Sequence, residues 1–168
     1  EILDELLENA RIANSAMNGQ PLRYVLVKNP EAVRKIQPCF HFATALPKEL
    51  GQPKEGEQPT AFIILCTEGP ETPWTGIDIG IAVRTMNLNA YIYGIGSCII
   101  GNAEFEKVKE ILSIPETWIP RLALALGYPS HKSTIVELPE DGSVKYYLDE
   151  ERQYYVPKRK RKDISIIR

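Results

Sequence analysis

Apolar side chains recur at intervals of three and four positions at the start of the chain. Acidic and amide side chains fill most of the positions between them. This spacing places the apolar groups on one stripe of a helix that ends near Asn14. The stripe consists of Leu3, Leu6, Leu7, Ala10 and Ala13.

Three later segments have the composition of β-strands. Residues 23–28 are rich in β-branched and aromatic side chains and stop at Asn29-Pro30, after which residues 30–36 have the charge pattern of a short helix. Residues 61–66, "AFIILC", form a continuous apolar run, which is typical of a central strand buried on both faces. Residues 121–128, "RLALALGY", are expected to be a further apolar strand.

Residues 76–93 have a helical pattern with very little charge. Ile77, Ile81, Leu88 and Ile92 lie along one side, and small residues lie nearby. A helix that is apolar around most of its circumference must be covered on more than one face. We therefore expect the protein core on one side of it and a second subunit on the other.

The segment "YGIGSCIIGN", residues 93–102, is expected to join that helix to another over residues 102–112, with Asn102 as N-cap. Its glycines allow two interpretations. They end a helix in an ordinary connection, or they let the backbone approach a planar or anionic ligand. We expect Cys98, in this apolar setting, to be a buried packing residue.

The remaining segments are more polar. Residues 44–59 combine prolines and glycines with charges, which predicts a mobile surface loop. Near the carboxyl end, "VKYYL" and "QYYV" flank "DEER", which predicts a hairpin or an extended arm.

Composition excludes several classes of protein. The 168 residues carry a net charge of -2 and 43% hydrophobic residues, which suits a single domain over residues 1–168 without the basic excess of a nucleic-acid-binding protein. The three cysteines and two histidines have no metal-ligand spacing, so no metal is expected. An odd number of cysteines and the lack of an export signal or membrane-spanning stretch favour a cytoplasmic location.

Two polar segments are candidates for ligand binding. The bend "NSAMNGQP" offers Ser15, Asn18 and Gln20, which are donors and acceptors for the edge of a heterocycle or the polar end of a helix. The run "PKRKRK" begins with Lys158 and Arg159, which suit a phosphate, although a solvated tail or a small nucleic-acid patch has the same composition.

These segments occur in a familiar order: "ARIANSAMNGQPLRYVLV", "AFIILC", "WTGIDIGIAVRTMNLNAYIYGIGSCIIGN", "LALALGYP" and "YYVPKRK". The sequence resembles the nitroreductase-like family of FMN-dependent oxidoreductases, in its compact single-domain branch. The resemblance implies an α+β sandwich with a central, mostly antiparallel sheet flanked by helices. It also implies an intertwined homodimer with two FMN sites at the subunit interface.

The same resemblance implies which residues hold the flavin. Those at the ring would lie in the segment 97–101, with a backbone N–H from around its end facing the reactive nitrogen N5. The implied residues are Ser15, Asn18 and Gln20 for the ribityl and pyrimidine side, Lys158 and Arg159 for the phosphate, and Ser97, Ile100 and Gly101 for the isoalloxazine ring.

The implied activity is transfer of hydride from NAD(P)H through the flavin to an oxidised small molecule such as a nitroaromatic or a quinone. No catalytic side chain is then needed, because the cofactor carries the chemistry. The loop 44–59 and Trp74 are expected to select the acceptor. Three alternatives stay open: a sister flavin chemistry such as reductive dehalogenation or flavin fragmentation, a non-catalytic flavin-binding or flavin-sensing protein, and a nucleic-acid-binding domain that uses the basic run.

This sequence departs from the family pattern near its beginning. Family members carry an Arg-rich segment before the first helix that helps to bind FMN, and none precedes the predicted first helix here. Two explanations stay open: such a segment lies upstream of Glu1, which the start of the sequence inside a helical pattern favours, or this member binds flavin weakly or differently. The aromatic residue that usually follows "QP" is Leu22 in this chain.

Overall fold

The computed structural model describes residues 1–168, apart from the side chain of Lys48. The chain forms two compact units, which are described separately. The first unit comprises Glu1–Phe42 and Pro53–Tyr128, and the second comprises Ala43–Gln52 and Pro129–Arg168. That the whole chain acts as a single domain stays a prediction.

The first unit is built on a four-stranded sheet in the order β1-β2-β4-β3, in which every neighbouring pair is antiparallel. The strands are β1 (Leu22–Val27), β2 (Ala61–Glu68), β3 (Gly96–Ile100) and β4 (Trp118–Gly127). The inner strand β2 is buried from Ala61 to Thr67. The predicted antiparallel sheet and the central position of "AFIILC" are therefore confirmed.

Helices cover both faces of this sheet. On one face, α1 (Ile2–Ile12) and α4 (Thr75–Ile92) pack on alternate residues of β2 and β4. On the other face lie α2 (Pro30–Ile36) and α5 (Phe105–Ile111). Because strand side chains alternate between faces, the continuous apolar runs of β2 and β4 supply both cores at once. The predicted α+β sandwich is confirmed.

The short helix α2 begins where local chemistry dictates. The side chain of Asn29 accepts hydrogen bonds from the backbone amides of Glu31 and Ala32, at 2.9 and 3.1 Å. Pro30 occupies the first helical position, where its missing N–H is not needed. The helix predicted over residues 30–36 is therefore confirmed.

The predicted helix-to-helix connection over residues 93–102 is wrong in part. Residues 96–100 form the edge strand β3, paired from Gly96 with Gly127 to Ile100 with Ala123. The free edge of β4 satisfies the backbone groups of this segment, which its local pattern does not reveal. Cys98 lies on this edge and is exposed, in contrast to the buried position expected from its apolar neighbours.

The helix predicted over residues 102–112 begins later than expected. The carbonyl of Asn102 accepts the backbone amide of His41 at 3.0 Å, and Ala103 forms a β-bridge with Phe40. These contacts keep residues 102 and 103 extended, so α5 starts at Phe105 and its N-cap is Glu104 rather than Asn102.

Helix α4 has two distinct apolar sides. Its core side includes Ile79, Ala82, Val83, Met86 and Ala90, all buried against the sheet and α1. The opposite side is exposed in the single chain, although it is equally apolar. The exposed residues are Ile77, Ile81, Leu88 and Ile92, the group identified in the sequence. That a second subunit covers them stays a prediction.

The second unit contains a small three-stranded sheet in the order β5-β7-β6. Its strands are β5 (Ser133–Glu137), β6 (Tyr147–Leu148) and β7 (Tyr154–Lys158). Strands β6 and β7 are antiparallel, which confirms the predicted hairpin, and the rings of Tyr147 and Tyr155 stack at 5.1 Å. Strand β5, which the sequence did not predict, pairs with β7 in parallel.

The predicted loop over residues 44–59 contains one helical turn, α3 (Lys48–Gly51). Its mobility stays a prediction. In the part of the chain that the structure describes, no helix is long and apolar enough to cross a bilayer. Among the described side chains, no three His, Cys, Asp or Glu residues are grouped as metal ligands.

Candidate functional site

The polar bend between α1 and β1 has an unusual backbone. Met17, Asn18 and Gln20 have φ values of 51°, 55° and 48°, in the left-handed region that normally favours glycine. Each such residue costs on the order of 1–3 kcal/mol and persists only where surrounding contacts hold it. One of these contacts is the backbone amide of Gln20, which donates to Ser15 Oγ at 3.0 Å.

A buried carboxylate attaches the bend to α4. The amide of Ala16 donates to Asp78 Oδ1 at 2.9 Å, and Asp78 is only 4% exposed. Asp78 lies in the first turn of α4, where the helix dipole favours an acid. Asp78 and Arg84 are the only charged residues inside this helical pattern. Its place as a lone acid in an apolar helix was the signal that pointed to a specific role.

Arg23 holds the other end of the bend. Its guanidinium donates to the carbonyls of Gln20 and Leu22, at 3.2 and 2.8 Å, and pairs with Glu68 at 2.7 Å. A hydrogen bond from Thr117 and the charge of Arg23 lower the pKa of Glu68. Arg23 is therefore occupied by the protein itself and stabilises the exit of the bend into β1.

A cavity of about 530 Å³ lies beside the bend. Its walls come from α1, the bend, β1 and α4, and include Ser15, Gln20, Tyr24 and Asp78. Burial, together with the charge of Asp78, raises the pKa of Tyr24 to about 12, so the phenol stays protonated well into the alkaline range. The two arginines in the wall, Arg11 and Arg23, are already paired with Glu8 and Glu68. The cavity thus offers neutral and acidic groups, which suit a polyol or a heterocycle better than a phosphate.

A second set of predicted residues lies along β3. Ser97 Oγ accepts a hydrogen bond from Asn87 Nδ2 at 2.6 Å, and the Asn87 oxygen accepts one from Arg84. Ile100 is buried on the opposite face of the sheet, in the layer of α2 and α5. Gly101 is exposed just beyond the end of the strand. The helical pattern shows Arg84 as an isolated charge, but it does not show that Arg84 and Asn87 contact each other and Ser97.

Helix α4 connects these two sets of residues. Asp78 contacts the bend and Asn87 contacts Ser97, and the two residues are nine positions apart in the sequence. At 1.5 Å per residue, they are about 13.5 Å apart along the helix axis. The structure therefore gathers Ser15, Asn18 and Gln20 in one bend, which contacts α4 near its start. Ser97, on β3, contacts the same helix nine positions farther along.

Lys158 and Arg159 belong to the second unit. Lys158 ends β7, where it is paired in register with Glu137, and Arg159 follows it; both are exposed. Glu137 forms its ion pair with Lys160 instead, at 2.9 Å. Among the side chains that the structure describes, no ion pair involves Lys158 or Arg159. Both therefore remain available to an anion.

The antiparallel sheet between two helical layers defines an α+β sandwich that is shared with solved structures. One is a nitroreductase family protein from Clostridium difficile 630, with a TM-score of 0.60 and 23% identity over 77% of this chain and 72% of that one. The likeness at this identity shows the fold alone.

The family follows from the sequence comparison. The model of the nitroreductase family matches residues 1–128, and the chain belongs to that family. A protein of Archaeoglobus fulgidus with the provisional name NADH dehydrogenase/NAD(P)H nitroreductase is 27% identical over 146 residues, which cover 82% of this chain and 78% of that protein. The FMN reductase (NADPH) of Bacillus subtilis strain 168 is also 27% identical over 146 residues, which cover 79% of this chain and 59% of that enzyme.

Proposed function

We propose that this chain is an FMN-dependent oxidoreductase that passes hydride from NAD(P)H to an oxidised small molecule, such as a nitroaromatic or a quinone. The observation that carries the proposal is the strained, multiply anchored bend at 15–20 in a chain of the nitroreductase family. The name of the Bacillus subtilis relative, FMN reductase (NADPH), supports the choice of cofactor and donor.

The groups of the bend fit the polar side of a flavin. Ser15 Oγ accepts the Gln20 amide, which leaves the hydroxyl proton for a ligand. The structure gives the Asn18 side chain no hydrogen bond among the described residues, so its amide can both donate and accept. The pyrimidine edge of a flavin carries carbonyls, which accept hydrogen bonds, and an N–H, which donates one, so its partners must supply both a donor and an acceptor. We therefore propose Ser15, Asn18 and Gln20 as cofactor-binding residues.

The phosphate requires a different location. The cations that line the cavity beside the bend, Arg11 and Arg23, are paired with Glu8 and Glu68, whereas the buried carboxylate of Asp78 would repel a dianion. Lys158 and Arg159 are exposed, adjacent and without ion pairs among the described side chains, and they complement a phosphate. We propose them as its ligands. Ser97, Ile100 and Gly101 are proposed to line the ring, Ile100 through its backbone because its side chain is buried on the other face of the sheet.

The bound flavin would supply the hydride acceptor and donor, which is chemistry that no side chain of this protein provides. The protein would bind the cofactor, keep its ring oriented and leave one face open to donor and acceptor in turn. Trp74, half exposed just before α4, is suited to stack on an aromatic acceptor. No side-chain nucleophile or acid–base pair is required.

The proposed enzyme is a homodimer. The exposed apolar side of α4 carries Ile77, Ile81 and Leu88, which favours burial against a second copy. Substitution of Leu88 by Asp is expected to yield monomers that bind FMN poorly, because the proposed sites lie at the subunit interface. The reducing cytoplasm is the proposed location, where the three free cysteines stay reduced.

The test is a visible absorption spectrum of the protein after purification without added flavin, with mass spectrometry of the compound that acid releases. Oxidised-flavin bands, released FMN and oxidation of NAD(P)H with a nitroaromatic or quinone acceptor are expected. FMN binding without turnover would support the non-catalytic alternative. Failure to bind added FMN, both in this chain and in one extended upstream, would refute the proposal.

The assignment of the bend has its own test. Ser15→Ala combined with Asn18→Ala is expected to lower the affinity for FMN at least tenfold, since two hydrogen-bonding groups are lost. Met17→Ala is the matched control, because Met17 lies between them, shares the left-handed backbone and is 91% exposed. Full FMN occupancy in the double variant would remove the bend from the site.

A further inference from the structure

A chain of hydrogen bonds runs from α4 to β3, and its direction is fixed. Arginine has only donors, so the Asn87 oxygen must face Arg84, which donates to it. The Asn87 NH₂ group therefore faces Ser97 and donates to Ser97 Oγ at 2.6 Å. The orientation of this amide follows from the chemistry of its two neighbours.

The consequence falls on the hydroxyl of Ser97. Its oxygen accepts from Asn87, and Asn87 presents no acceptor to it, so the Ser97 proton is available to a third group. The positive charge of Arg84 polarises the chain of bonds and makes the last donor stronger. Ser97 lies on the α4 side of the sheet near the free edge of β3 and is only half-buried, so a ligand can reach it.

We propose that Arg84 and Asn87 are positioning residues that orient the Ser97 hydroxyl to donate a hydrogen bond to N1 or a carbonyl oxygen of the bound flavin, and that this donor stabilises the reduced cofactor more than the oxidised one. The inference rests on the proposed function. Two-electron reduction puts negative charge on N1 and the carbonyl oxygens of the ring, whereas N5 gains a hydrogen and becomes a donor. A fixed donor at N1 or a carbonyl oxygen therefore favours the reduced state.

The near-isosteric substitution Asn87→Asp reverses the direction of the hydrogen bond between residue 87 and Ser97. In Asn87→Asp the carboxylate has only acceptors, so it takes the proton of Ser97 as well as that of Arg84. Ser97 then offers a lone pair to the ligand in place of a proton. We expect the preference for reduced over oxidised FMN to fall about tenfold, which for a two-electron couple lowers the midpoint potential by about 30 mV.

Two further variants identify the hydroxyl. Ser97→Ala removes the donor and is expected to produce a similar shift, whereas Ser97→Thr keeps the hydroxyl and should restore the native potential. The measurement is the potential of bound FMN, determined by equilibration with reference dyes. Thermal melting of each variant verifies that it is folded.

Asn89→Asp is the matched control for added charge. Asn89 lies two residues along the same helix, and its amide donates to the carbonyl of Thr85 rather than to Ser97. Its potential should stay close to that of the native protein. An equal shift in Asn89→Asp and Asn87→Asp would overturn the inference, because charge alone would account for both.

The remaining outcomes separate this inference from the proposed function. A native protein that binds no FMN overturns the proposed function. Native and Asn87→Asp proteins that both bind FMN with the same potential leave the proposed function intact and overturn this inference alone.

Discussion

Asp78→Ala tests whether the buried carboxylate organises the bend. In the native chain Asp78 Oδ1 accepts the Ala16 amide at 2.9 Å. A hydrogen bond to a charged group contributes about 1.5–3 kcal/mol, and an amide left without a partner costs about 1–3 kcal/mol. Against this, a buried carboxylate is itself costly, and removing it recovers part of that cost. We expect the lost hydrogen bond to outweigh the relief of burying a carboxylate, so that the free energy of unfolding falls by about 2 kcal/mol.

Asp78→Asn separates the two contributions. The amide oxygen can still accept the Ala16 N–H but carries no charge, so the expected loss is about 1 kcal/mol. Urea denaturation followed by circular dichroism measures both variants, and the alanine variant should melt roughly 4–8 °C lower. Asp4→Ala is the control, since Asp4 lines the same cavity but is exposed, and the loss of its surface ion pair with Lys28 should lower stability far less than Asp78→Ala does. If Asp78→Ala is as stable as the native protein, the expectation is wrong, because the cost of desolvating the Asp78 carboxylate then equals or exceeds the stabilisation from its hydrogen bond with the Ala16 amide.

Three further predictions concern other residues. The pKa of Tyr24 is raised to about 12 in the fold, so between pH 10 and 12 Tyr24 ionises in the unfolded chain but stays protonated in the folded one. The free energy of unfolding should therefore fall across that range by roughly 1 kcal/mol, after allowance for partial exposure. Urea denaturation at several pH values should show that Tyr24→Phe lacks this part of the pH dependence. Slow alkylation of the native protein should modify Cys98 alone, since its side chain is exposed whereas Cys39 and Cys66 are buried. Desolvation raises the pKa of all three thiols, that of Cys66 to about 11, so accessibility decides which one reacts, and modification of all three before unfolding would contradict the packing. Met17→Gly should melt no lower than the native protein, because glycine relieves the left-handed strain, and a clear loss of stability would show that the Met17 side chain makes a contribution despite its exposure.

The sequence predicted the elements whose patterns are long and local. The apolar runs of β2 and β4 and the stripe on α1 have enough residues to fix their type, and the order of the motifs identified the family. Strand β3 was missed because it has five residues, begins with Gly96, and is a strand only through its pairing with β4.

The polar residues of the candidate site could be predicted from the sequence, whereas the contacts that hold them could not. The polar residues of the bend are contiguous, so their density was visible in the sequence. Their anchors were not visible, because Asp78 lies 62 residues from Ala16 along the chain. Nor could the pattern show that the Arg23 guanidinium pairs with Glu68, which lies 45 positions farther along the chain. Local patterns predict which residues are polar, whereas their partners depend on the tertiary fold.

The spacing of Asp78 and Asn87 on α4 has a consequence for how this protein can change in evolution. A single residue inserted between them would rotate one position against the other by about 100° and carry Asn87 away from Ser97. Any variation in chain length must therefore fall elsewhere, for example in the exposed residues 54–57, where no strand or helix register is at stake. We expect homologues that retain both contacts to keep this stretch of helix at constant length, however far their sequences diverge.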